Sequence, residues 1–123
     1  MGRRSRARSG HEKLSAPTSD YEDAQAGKLT LRGSLTPGAR VEYARVLAGE
    51  TATAAATRED SEQRALELLF ERLAARWSIA GVVLDRPHEL LARLRSASPA
   101  ERAWVKQALR EHCAEWFPDV RVP

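Results

Sequence analysis

The sequence predicts a mainly α protein: four helices in one compact domain, with a small N-terminal β-hairpin as a minor β component. Three observations predict it. Apolar residues recur at helical spacing through Leu66, Leu69, Phe70, Leu73 and Trp77. Helix-start signatures stand at Thr36-Pro37, at Thr57 to Asp60, at Asp85-Arg86-Pro87 and at Ser98-Pro99-Ala100-Glu101. Clear polar–apolar alternation is confined to Lys28-Leu29-Thr30-Leu31-Arg32.

Taken in order, residues 1–17 are rich in Arg, Ser and Gly, close on Ala16-Pro17 and predict a disordered basic arm. Residues 18–120 then form a single helical domain. Thr18 to Asp23 fits an extended segment, and Gly27 supplies the positive φ of a tight reversal into Lys28–Arg32. A two-stranded hairpin is not stable alone, so it must lean on a helix. Thr36 caps a first helix with Pro37 in its first turn, running to about Ala48, with Gly49 as the residue that stops it. Glu50 to Thr57 has small side chains and no anchor, which fits a linker; a continued helix is the alternative.

Asp60 or Thr57 caps the second helix, whose apolar stripe extends to Trp77. Ser78 to Leu84, with Gly81 and two Val residues, fits an extended buried connector. Asp85 caps a short third helix bearing Leu90, Leu91 and Leu94. Ser98 and Glu101 form a capping box for the fourth, which reaches Trp116 before Pro118 ends it. The last residues, 121–123, are expected to fray.

The 123 residues carry a net charge of +3, but unevenly. Arg3, Arg4, Arg6, Arg8 and Lys13 oppose Glu12 alone in the arm, while the remaining fifteen basic residues face sixteen acidic ones. Such an arm is a candidate binder of anionic surfaces, nucleic acid included, through Arg3, Arg4, Arg6 and Arg8, and that binding would weaken steeply with salt. A solubilising terminus is the other reading. No apolar run approaches the ~20 residues of a membrane span, and one Cys excludes an internal disulfide framework. Composition fits a soluble protein of a reducing compartment.

No catalytic set stands out. His112 and Cys113 are neighbours, so on a helix they point about 100° apart and cannot form a nucleophile–base pair. Asp85, His88 and Glu89 lack the partners of a structural zinc site. Glu67/Glu71 and Glu111/Glu115 lie among arginines, as on a solvated helix face. Neither metal nor cofactor is expected, and the chain reads as a non-enzyme. The three Trp residues either cross-pack in the core or line a groove for a partner. Trp116, Phe117 and Trp104, on the last helix and at its end, are the candidate partner-binding residues.

Lys28 to Pro37, Ala65 to Leu73, Trp77-Ser78-Ile79-Ala80-Gly81 and Ala100 to Val105 give a strand leading into a capped helix, then further helical segments. In that layout, over about residues 14–120, the chain resembles the small helical proteins of bacteriophage tail modules, many of them tail assembly chaperones. The resemblance implies a protein of the bacterial host cytoplasm, without cofactor or active site. It implies binding to the long tape measure protein, keeping it soluble, and recruitment of tail subunits. Many such proteins exist in a short form and a longer frameshifted one. The Arg-rich arm departs from that pattern and leaves open a virion structural or connector role. No family binding residue transfers onto a position here.

Overall fold

The computed structural model describes residues 17–123. The arm, with Arg3, Arg4, Arg6 and Arg8, lies outside the described residues apart from Pro17. The elements run β1 (Thr18–Asp23), β2 (Gly27–Arg32), α1 (Pro37–Leu47), α2 (Arg58–Leu73), β3 (Ala74–Ile79), β4 (Val82–Leu84), α3 (Pro87–Arg95) and α4 (Pro99–Trp116). The four strands form one antiparallel sheet in the order β1-β2-β3-β4. The fold is therefore α+β, with a substantial sheet, and not the mainly α domain that the helical spacing predicts.

The difference lies at Trp77. The second helix stops at Leu73, and Ala74 takes extended angles, φ −70° and ψ 120°, so a strand begins with no loop between. Leu73 and Trp77 are both fully buried, but from different elements. Trp77 pairs across the sheet with Leu29, its indole N–H donates to the Ala26 carbonyl at 2.7 Å, and its ring meets Phe70 edge-on at 5.9 Å. The register slips by one residue between Thr30, opposite Arg76, and Leu31, opposite Ala74. That bulge brings both Ala74 and Trp77 into the core although they are three residues apart in one strand.

The segment expected to be a connector is a second hairpin. Ile79 pairs with Val82 across Ala80 and Gly81, whose φ values are 51° and 83°. Positive φ at both loop positions is what a primed two-residue hairpin turn requires. At the first hairpin Gly27, at φ 91°, lies so close to β3 that a Cβ would fall 2.0 Å from the Ser78 carbonyl oxygen.

Helix starts follow their capping chemistry. Thr36, Thr57 and Ser98 each accept a backbone N–H with their hydroxyl, and Asp60 and Glu101 close reciprocal capping boxes. The third helix departs from expectation: Pro87 opens it, so the cap falls on Arg86 rather than Asp85, with no side-chain hydrogen bond. Residues 48–57 connect α1 to α2 through turns at 48–51 and 54–55. Leu29, Leu31 and Trp77 from the sheet pack with Tyr43, Leu69, Phe70, Leu73, Leu90, Val105, Leu109 and Phe117 in one core. Asp20, Lys28 and Arg76 on the opposite sheet face are exposed. The C-terminal residues, expected to fray, are tied down. Tyr43 donates its hydroxyl to the Arg121 carbonyl, Arg110 holds the Pro123 carbonyl, and Val120 and Val122 pack against the core.

Candidate functional site

The aromatic residues chosen from the sequence do not form one surface. Phe117 is 2% exposed and belongs to the core, with the Arg40 guanidinium 5.1 Å above its ring. Trp116 is half-buried; its indole N–H donates to Ser19 Oγ at 3.1 Å. Its ring lies against Gly33, where a Cβ would come within 2.9 Å. Trp116 thus joins the end of α4 to the first hairpin. Trp104 is half-buried near the other end of the helix, beside Ala26, Ser98 and Glu101. Twelve residues of helix place it about 18 Å from Trp116 along the axis.

Between them His112 forms a fully buried polar link that the sequence shows only as part of an apolar helix face. Its Nε2 lies 2.6 Å from the Arg32 carbonyl and its Nδ1 2.9 Å from the Tyr21 hydroxyl. A carbonyl only accepts, so Nε2 carries the proton, and the Tyr21 hydroxyl donates to Nδ1. Burial holds the imidazole pKa below its ordinary 6.5, against the Arg32 hydrogen bond and nearby Glu115, which raise it. Both nitrogens are committed to joining α4 with β1 and β2. Burial also pushes the neighbouring Cys113 thiol up to about 11, so that it stays protonated near neutrality. Neither group is poised as a base or nucleophile. Glu67 pairs with Arg95 at 2.9 Å, and His88 is exposed. Among the described residues no group of three or more His, Cys, Asp or Glu is arranged to hold a metal ion.

A candidate surface for a protein partner runs along the N-terminal half of α4, where the helix faces α2 and α3. Leu66 of α2, Leu94 of α3, and Val105 and Leu109 of α4 line a groove of about 290 Å³. Gln63 stands on its α2 wall, and Arg102 and Lys106, one helical turn apart, on its α4 wall. Neither cation makes an ion pair with another described residue. The acids nearest in sequence are engaged elsewhere: Glu101 with Arg93 at 2.7 Å, and Glu111 accepts from the Gln107 amide at 3.1 Å. Arg110, the next turn along, holds the Pro123 carbonyl. The signal is visible in the sequence as the i,i+4 pair Arg102/Lys106 beside Val105 and Leu109, but the α2 and α3 walls come from tertiary packing alone.

No family model, curated protein or solved structure matches this chain. Among the described residues no helix is long and apolar enough to cross a membrane.

Proposed function

We propose that the chain is a non-enzymatic protein-binding module that takes an acidic, amphipathic helix into the groove between α2 and α4. The observation that supports this most is the pairing of an apolar floor, Leu66, Leu94, Val105 and Leu109, with a wall of two cations unpaired among the described residues, Arg102 and Lys106. A helix laid in such a groove buries its apolar stripe and presents its carboxylates to the basic wall. The resemblance to phage tail assembly chaperones supports a client of the tape measure type, kept soluble while its own helices lack partners. Trp116 and Phe117 then act inside the domain, fastening α4 to the sheet and core.

The test is capture of a co-expressed tape-measure segment by the full chain. Arg102→Glu with Lys106→Glu alters only the basic wall and should weaken capture about tenfold or more, as loss of two favourable charge contacts implies, with the helical spectrum unchanged. Unaltered capture by that variant would remove the groove from the proposal.

A further inference from the structure

A second cavity, of about 520 Å³, opens where the loop before α2 folds against the end of α1 and the C-terminal segment. Its lining includes Thr53, Arg58, Ser61, Glu62 and Arg121. The geometry points to a site for a small oxyanion, a phosphate or carboxylate group on a molecule that also offers a hydrogen-bond donor. Ser61 is the key observation. It is 5% exposed, and its hydroxyl has no hydrogen-bond partner among the described residues. Buried hydroxyls are nearly always satisfied, so an unpartnered one lining a cavity asks for a ligand or a water.

The surroundings favour an anion. Gly49, at φ +81°, faces Ser61, and a Cβ there would stand 3.4 Å from the hydroxyl oxygen. The absence of a side chain at Gly49 keeps that hydroxyl uncovered. Arg58 and Arg121 line the same space, and neither pairs with a carboxylate among the described residues. The Tyr43 hydroxyl, bound to the Arg121 carbonyl, fixes the backbone that brings Arg121 there. Arg58 opens α2, a sixteen-residue helix whose N-terminal dipole adds to the attraction. The capping box already satisfies the Asp60 N–H through the Thr57 hydroxyl, so the helix end supports the site without making it. The loop itself, Thr51 to Ala56, has only Ala and Thr side chains, which leave the volume unfilled. Glu62 is the carboxylate in the lining, and it gives the ligand's donor group an acceptor.

The experiment is a titration of the full-length chain with sodium phosphate and, separately, sodium acetate, read by amide chemical shifts at matched ionic strength in chloride. Saturable shifts at Gly49 and Arg58–Ser61, with millimolar affinity, are expected for at least one anion, and the anion that saturates identifies the ligand class. Ser61→Ala should weaken that binding about tenfold, the size of one hydrogen bond. Arg58→Gln with Arg121→Gln should abolish it, and Glu62→Gln should strengthen binding of acetate, which has no donor to offer that carboxylate. Both arginines are exposed, so their replacement leaves the fold as a fair background. Linear shifts shared with chloride would overturn the site. So would saturable binding that Ser61→Ala and the double arginine variant both leave unchanged.

Discussion

His112 contributes to stability through its neutral form, and the sign of its pH dependence follows. Its pKa in the folded chain lies below the ordinary 6.5, so the unfolded chain takes up the proton first as pH falls. The contribution is complete above about pH 6.5, declines as pH drops below it, and levels off once the folded value is passed. Tyr21, the Arg32 carbonyl, Glu115, Trp116 and Phe117 face or adjoin the ring; of these Glu115 opposes the decline. Urea midpoints measured across that window should fall with acidity, and His112→Gln should flatten the slope while lowering stability at neutral pH. An equal slope in the variant would assign the dependence to carboxylates. Gly33 makes a second prediction at this scale. Its Cβ would meet Trp116 at 2.9 Å and the Pro17 carbonyl oxygen at 3.1 Å. Gly33→Ala should therefore cost about 1–3 kcal/mol, as overpacking does, and shift the Trp116 fluorescence.

The elements differ in how openly the sequence announces them. Thr57 with Asp60, and Ser98 with Glu101, make their ends readable because capping is local chemistry. Thr57→Ala should cost about 0.5–2 kcal/mol, seen as a lower melting temperature, because it strips one half of a capping box. Lys28 to Arg32 is readable because alternation is local too. Strand β3 is not. Leu73 to Trp77 is a four-residue step, which suits a helix face, and no Gly or Pro separates α2 from β3. The choice of strand is made by Leu29 and Ala26, far away in sequence, which pair with Trp77 and accept its N–H. The β3–β4 turn hides for a related reason: Ala80 stands at φ 51°, where glycine is the usual residue. Ala80→Gly should stabilise by about 0.5 kcal/mol, since relief of the left-handed penalty of about 1–2 kcal/mol outweighs the added freedom of the unfolded chain. A lower melting temperature in that variant would show that the methyl group makes a stabilising contact.

At the scale of the whole molecule, the sheet and all four helices assemble one core, and α4, which gives it Val105, Ala108, Leu109 and Cys113, is further fastened by links that sequence patterns do not reveal. His112 reaches β1 and β2, Trp116 reaches Ser19, and Phe117 enters the core. These links engage Trp116 and Phe117, two of the three aromatic residues that the sequence offers to a partner; Trp104 stays half-buried near the start of the helix. Toward the N-terminal half of α4, the flank with Arg102 and Lys106 borders the groove, over Val105 and Leu109, which are buried. That flank could be half read in the sequence, as apolar residues next to cations one turn apart; Leu66 and Leu94 complete the groove only through folding. The most direct test of the groove is amide hydrogen exchange of the full chain with a synthetic amphipathic helix bearing an acidic face. Slower exchange concentrated in residues 63–66 and 102–109, abolished by Arg102→Glu with Lys106→Glu, is the expected result. Binding that instead protects the first hairpin and the Trp116 end of α4, and that survives the charge reversal, would contradict it.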